Sequence, residues 1–432
     1  MVPSALKNMN PNRLGQYNLK MANIVLLMAF FLFLEYIYKS FVSYHLPHLD
    51  YTYDFHLVKY IETKILFVLA LILSYHIPGN KGFLYFMSLI VTALMLIPNL
   101  IIYEFAADQR LIPYLTLFFL LTLWLVSRWQ KEFIFRIYPI PERYKILILL
   151  LLVCFLLIPF AVDFGFKLNW RVLSLQEIYE VRDQFKETLN IWTAYTYSPV
   201  GKVLIPVLLI YSLSKKRYAV VAFALIAFFY IYMIGAHKML FFGLFLMLAL
   251  YPLKNYHLQV TGFLGLFLAL LLIGYCIYIC FDSTYLESTL SRRFLFTPAL
   301  LNYYYFDFFE NNHLFLSHSV LSHFFEYPYD LEPAYKIGEV YRNDPDQSCN
   351  NGFLSTGYMN FGIAGALVNI IFLALVFKLI DDMKVHPAFT GIFFIMFYTL
   401  LSSALTTTLL THGFFLLIVI SYFFLMDTRH GW

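Results

Sequence analysis

The chain has 432 residues, 61% of them hydrophobic and only 13% charged, with a formal net charge of +4. Its mean hydropathy is +0.70. A soluble domain carries roughly 25% charged residues, so composition excludes a soluble enzyme and a disordered chain, and four cysteines in this length exclude a secreted disulfide scaffold.

Runs of about 17 to 22 apolar residues, enough to cross a ~30 Å hydrocarbon core as helix, recur along the chain. They predict about twelve transmembrane helices. In order these are Ala22 to Phe41, Tyr60 to Ile77, Gly82 to Tyr103, Leu111 to Ser127, Tyr144 to Val162, and Val200 to Leu213. The second half adds Tyr218 to Ile234, Met239 to Tyr251, Leu258 to Ile279, Thr356 to Ile380, Pro387 to Leu405, and Phe414 to Met426. The expected fold class is all-α, a single polytopic membrane domain over 1–432.

Lys and Arg near short loops stay on the cytoplasmic side. With the N-terminus inside, the inner segments hold 16 of the 30 cations with five acids, Glu132, Glu142, Asp381, Asp382 and Asp427. Both termini are therefore expected in the cytoplasm. The first apolar run is too long for a signal peptide and lacks a small-residue cleavage site, so it reads as a retained anchor. Cys154, Cys276 and Cys280 fall within spans, leaving Cys349 without a loop partner for a disulfide; the Cys276/Cys280 face reads as lipid or helix packing. Glu35, inside span one, is expected to face other helices through a structural hydrogen bond.

Two loops exceed the usual length, 163–199 and 281–355, and both fall outside. In the first, Ser174 and Glu177 form a capping box. Leu175, Ile178, Val181, Phe185, Leu189 and Trp192 then recur at spacings of three and four, predicting an amphipathic helix. Glu180 and Asp183 lie off the apolar arc. Arg182 lies within it, with Lys186 and Tyr179 along the same edge. Such a guanidinium either snorkels to headgroups or is held at headgroup depth to meet a phosphorylated lipid.

The second loop opens with Arg292 and Arg293, then Thr297 and Pro298 as N-cap and first helical residue, and Tyr303, Tyr304 and Tyr305 follow. Beyond Pro328 comes a polar stretch containing Asp330, Glu332, Tyr335, Glu339, Tyr341 and Arg342, closing on Asn350 and Asn351. Acids, amides and flat rings suit a sugar surface; the plainer alternative is a solvated loop with interfacial aromatics. Lys238 sits in a tight hairpin between spans seven and eight, where a charge near the apolar region costs roughly 1 to 3 kcal/mol unless it snorkels or pairs.

No phosphate-binding G-x-x-x-x-G-K-[ST], H-E-x-x-H or G-x-S-x-G motif is present. His313, His318 and His323 recur every five residues and so do not share a helix face as metal ligands would. Internal repeats are not evident and midplane charges are nearly missing, both of which count against a secondary transporter. Gly362, Gly365 and Ala366 form a small-residue patch suited to helix packing.

Taken together, Ile178-Tyr-Glu-Val-Arg182, Gly235-Ala-His-Lys238, Arg292-Arg293, Asn350-Asn-Gly-Phe-Leu and Gly357-Tyr-Met-Asn-Phe-Gly362 resemble the oligosaccharide repeat-unit polymerases, the Wzy-type O-antigen polymerases. The resemblance implies a bacterial inner-membrane glycosyltransferase that moves a glycan from undecaprenyl diphosphate to a lipid-linked repeat unit at the periplasmic face. It implies no cofactor, nucleotide sugar or metal. Its partners would be the undecaprenyl-diphosphate-linked oligosaccharide, membrane lipids and a chain-length regulator protein, with no nucleic acid.

In such a reaction, charge growing on the leaving diphosphate must be neutralised as the anomeric carbon becomes oxocarbenium-like. Arg182, Lys186, Lys238, Arg292 and Arg293 are the candidate diphosphate ligands, with Arg182 and Arg292 the catalytic ones. The general base is open among His313, His318, Asp330 and Glu339. Tyr179, Tyr304, Tyr335, Tyr341, Asn350 and Asn351 are the candidate glycan-binding residues. An O-antigen ligase is the nearest alternative enzyme, and a polysaccharide flippase or exporter the non-enzyme alternative.

Overall fold

Apolar side chains cannot satisfy backbone N–H and C=O groups in lipid, so a chain of this composition must close its hydrogen bonds within helices. The computed structural model describes residues 11–133, 140–166, 169–173, 178–319 and 321–426, and every regular element among them is helical. In chain order the main helices are α1 (Pro11–Ile37), α2 (Leu57–Tyr75), α3 (Gly82–Phe105), α4 (Leu111–Arg128), α5 (Glu142–Phe164), α6 (Ile178–Thr188), α7 (Ile191–Ser214), α8 (Tyr218–Gly235) and α9 (Lys238–Leu250). There follow α10 (Tyr256–Phe281), α11 (Thr297–Phe308), α12 (Pro333–Arg342), α13 (Phe353–Asp382), α14 (Pro387–Ser402) and α15 (Phe414–Leu425).

Eight of these segments are long and apolar enough to cross a membrane: α1 with its extension to His45, α3, α4, α5, α7, α8, α10 and α13. The apolar α9, α14 and α15 are shorter. α2 coincides with an expected span but carries Lys59, Glu62 and Lys64. On α5, Leu147, Leu151, Phe155, Ile158 and Val162 stay exposed while Leu149, Val153 and Phe160 are buried, the pattern of a helix with one face left to lipid.

The helices gather into two compact units. The first comprises the described residues up to Glu132 with Asn255–Asp381 and Leu401–Ala404. The second comprises the described residues of Phe133–Lys254, Asp382–Leu400 and those from Leu405 onward.

Three prolines inside long helices share one local solution. A proline ring clashes with the carbonyl four residues earlier and supplies no N–H. For Pro98, Pro206 and Pro298 that earlier residue, Leu94, Lys202 or Phe294, lies in a π-helical turn: Thr92–Leu96, Val200–Leu204 and Ser288–Phe296 respectively. The wider i→i+5 turn makes room for the ring. Two of the three turns carry cations, Lys202 in one and Arg292 with Arg293 in the other.

The expected span from Thr356 to Ile380 is not one straight helix. α13 breaks at Phe361 (φ −138°) and Gly362 (φ +59°, ψ −147°). The Asn369 amide donates to the Phe353 carbonyl at 2.8 Å, sixteen residues away, whereas a straight helix would separate them by roughly 24 Å. The chain therefore turns back on itself, and 353–360 lies against the start of 363–382. The small-residue patch serves this hairpin, since a Cβ on Gly365 would overlap the Gly357 carbonyl. Leu314 N and Phe315 N donate to the Met359 and Asn360 carbonyls freed by the break.

A Cβ on Gly362 would meet His313 Nε2 at 2.7 Å in a backbone region that other residues avoid. Gly362→Ala is expected to destabilise the first unit by about 1 to 3 kcal/mol, read as an earlier loss of folded protein on heating in detergent. Unchanged melting would contradict the hairpin.

Candidate anion-binding sites

In the second unit, α6 is shorter than expected. Its caps Ser174 and Glu177 lie outside the described residues, and the helix ends at Thr188 because Asn190 and Thr193 form a capping box that starts α7. Trp192 thus belongs to α7 and is 76% exposed, while Val181 and Phe185 are buried as the periodicity requires. Arg182, in the apolar arc, meets protein. Its Nε and Nη2 donate to the Ala236 carbonyl at 3.2 and 3.0 Å.

The Gly235-Ala-His-Lys hairpin has a packing reason. A Cβ on Gly235 would overlap the Tyr197 hydroxyl, and Ala236 takes a left-handed conformation (φ 51°) that ends α8. His237 follows, its ring 5.3 Å from that of Tyr197 and 6.3 Å from that of Phe185. From α7, Lys202 reaches Thr399 Oγ1 on α14 at 3.4 Å. One turn earlier Ser198 Oγ hydrogen-bonds His412 Nδ1 at 3.0 Å. Gly413 makes that contact possible, because its backbone lies too near Pro199 for a side chain and adopts φ +88°.

Arg182, Lys202, His237 and His412 therefore gather where α7 and α8 meet the α8–α9 and α14–α15 turns. Although His237 is an exposed residue, it is held down to about 4, first by desolvation and then by the charges of Arg182, Lys202 and Lys186. Burial, then Lys202 and His237, hold His412 down to about 3. Lys202 acts on both imidazoles. Such a concentration of positive charge at helix ends attracts anions.

The sign of the pH effect follows. On acidification the unfolded chain protonates His237 first, near the free value of ~6.5, so the folded state loses stability between there and about 4. A bound anion acts oppositely by favouring the protonated ring. Pyrophosphate affinity is expected to rise more steeply in wild type than in His237→Asn as pH falls from about 7.5 to about 5.5. Parallel slopes in a binding titration would remove His237 from the site.

Of the other sequence candidates here, Lys186 is 74% exposed and pairs with Asp183 at 3.3 Å, so it bears on the cluster only from a distance. Lys238 is half-buried at the start of α9. Tyr179 lies in α6, and its side chain is outside the described set.

In the first unit, the π-turn carrying Arg292 and Arg293 runs into α11, and Arg342 ends α12. Arg292 Nε donates to Ser288 Oγ at 3.0 Å. Thr297 opens α11 as part of a continuous turn rather than as an N-cap; its hydroxyl lies 3.1 Å from that of Tyr51. Tyr304 donates to Asp50 at 2.6 Å and Tyr341 donates to Asp307. The two phenol rings stack at 4.3 Å and 12°, and the Arg342 guanidinium lies 5.2 Å from the Tyr304 centroid.

The remaining candidates in this unit divide between core and surface. Asn351 is a correction: it is buried, with its amide donating to Asn302 Oδ1 at 3.0 Å and Ser355 Oγ at 2.7 Å, so it builds core instead of facing a glycan. Asn350 is exposed and donates to Ser348. Tyr335 is half-buried on α12. Glu339 is tied to Lys336 at 2.5 Å, which also approaches Asp330 at 3.5 Å. His313 packs against Gly362 with Nδ1 buried and unpaired, a position that suits the hairpin rather than a general base. His318 is exposed, near the Tyr327 ring.

Sequence reading passed over Lys202 and His412, and it named His237 only within its hairpin motif and Arg342 only within the polar stretch. No family model, curated protein or solved structure matches the chain.

Proposed function

We propose that the chain is a membrane glycosyltransferase with a polyprenyl-diphosphate-linked donor, of the oligosaccharide repeat-unit polymerase kind. What carries this reading is the Arg182–Lys202–His237–His412 cluster, which sets two cations beside two imidazoles at adjoining helix ends. The order of motifs that resembles the polymerases supports it. Within the second unit, Arg217 immediately precedes α8 (Tyr218–Gly235) and the Ala236–His237 turn immediately follows it, so the basic Lys215–Arg217 run and the cluster lie at opposite ends of one apolar helix. With the basic run cytoplasmic, the cluster faces the periplasm of a bacterial inner membrane. The twelve-span topology with both cytoplasmic termini belongs to the same proposal.

In this mechanism the acceptor hydroxyl oxygen bonds to the anomeric carbon as the bond from that carbon to the diphosphate breaks. Undecaprenyl diphosphate departs with the electron pair, and Arg182, Lys202 and a protonating His237 neutralise it. The proton of the attacking hydroxyl passes to water, since burial and Lys202 leave His412 too weak a base to take it. Purified protein in liposomes given lipid-linked repeat unit alone is expected to produce a ladder of longer lipid-linked products. Unchanged substrate with folded protein would overturn the proposal.

A further inference from the structure

We propose that the loop between α11 and α12 is tied to the membrane: a patch built from Phe315, Phe324, Phe325 and Phe361 sits in the lipid interface at the Gly362 end of α13. The inference goes beyond the glycosyltransferase reading and holds whatever reaction the chain performs.

The sequence marks this loop as unsuited to water. From Asn311 to Phe325 it contains no Lys, Arg, Asp or Glu, although Glu310 and Glu326 flank it. At the usual charged fraction, a stretch of this length would hold roughly four such residues.

The backbone adds a second observation. Phe315 and Leu316 both adopt left-handed φ, +48° and +60°, a conformation that residues with a Cβ avoid. Three hydrogen bonds hold it: Leu314 N donates to the Met359 carbonyl at 2.9 Å, Phe315 N to the Asn360 carbonyl at 3.1 Å, and Leu316 N to Asn360 Oδ1 at 3.0 Å. The strained turn nonetheless leaves its aromatic ring exposed. Phe315 lies 5.7 Å from the Phe325 ring and 5.9 Å from that of Phe361, all three of them exposed. Phe324, next in the chain to Phe325, is 79% exposed.

What covers this patch follows from the surface it continues. Beyond the break, Ala364, Val368, Ile371 and Phe372 are exposed at helical spacing along α13, the stripe that a spanning helix leaves to lipid. From Ile363 to Asp382, where α13 ends, the helix rises about 30 Å, the thickness of a hydrocarbon core. With Asp381 and Asp382 at one boundary, the Gly362 break reaches the other, where aromatic side chains are favoured. The four phenylalanines extend the stripe at that level, and lipid is their occupant.

The test is electron paramagnetic resonance of the full-length chain in liposomes, with the exposed Cys154, Cys276 and Cys280 replaced by alanine and a nitroxide on Phe324→Cys. Ile371→Cys on the stripe and the exposed Asp346→Cys supply the lipid and water references. At position 324 the ratio of oxygen to nickel-chelate collisions is expected to rise well above that at 346, towards that at 371. A ratio equal to that at 346 would place the patch in water and overturn the proposal. A label shielded from both probes would put a second copy over the patch and overturn it equally. Since a nitroxide is itself apolar, a label on Ser322→Cys is also read with and without Phe324→Asp and Phe325→Asp. The aspartates are expected to raise nickel collisions there towards the level at 346, because a charge in the apolar region is costly; no change would mean that the rings do not hold the loop to lipid. None of these positions belongs to the cationic cluster, so the labels and the product ladder fail independently.

Discussion

Arg182→Ala is expected to yield a folded, membrane-inserted protein whose glycan transfer is slowed roughly 10²- to 10³-fold, the usual loss when one preorganised charge is taken from a leaving group. The competing role is visible in the same contact. Arg182 donates twice to the Ala236 carbonyl at the end of α8, where a cation offsets the negative end of the helix dipole. A side chain serving only there would, on removal, lower stability by about 1 to 3 kcal/mol and spare the turnover of molecules that remain folded. Transfer rate per folded molecule separates the two. Arg182→Lys sharpens the comparison by keeping the charge and losing the fork, so it should recover part of the rate. A normal product ladder from Arg182→Ala would leave this arginine a structural cap.

The largest effect on stability is expected at Lys64. Its ammonium lies 2.7 Å from Glu35 Oε2 and 2.9 Å from Glu104 Oε2. The Glu104 side chain is 0% exposed and also accepts from Thr63 at 2.8 Å. Taking two carboxylates out of water is tolerable only with the cation between them. Lys64→Met should destabilise the first unit by about 3 to 5 kcal/mol, whereas the triple change Lys64→Met, Glu35→Gln, Glu104→Gln should recover most of that loss. The folded fraction after heating in detergent reads both. A single variant as stable as wild type would mean that water reaches the triad.

Much of the helical framework was legible because apolar runs report their own length. Glu35 was likewise legible, since a lone carboxylate in a span must find a partner, and Lys64 supplies it. What escaped was geometry that changes within a run. The stretch after Gly352 reads as continuous apolar helix, and the Gly362 reversal is invisible to hydropathy although Asn360-Phe361-Gly362 marks it. Lys202 escaped because it sits near the start of the expected span Val200 to Leu213, where a single lysine barely lowers the hydropathy of the run. Two signals could have found it: a lysine within an apolar run is itself a functional candidate, and it lies four residues before Pro206, where the helix must widen. Asn351 misled for the opposite reason: an amide in a polar stretch looks exposed, yet Asn302 and Ser355 bury it.

The central claim, that the cationic cluster of the second unit holds a lipid diphosphate, is tested most directly by titrating undecaprenyl diphosphate against wild type and Lys202→Met at one fixed salt concentration. Among the described residues Lys202 makes one weak hydrogen bond, to Thr399, so removing its charge should disturb the fold little. The account predicts affinity weakened by roughly tenfold or more, with a smaller effect on undecaprenyl monophosphate. Equal affinity in the two proteins would contradict it.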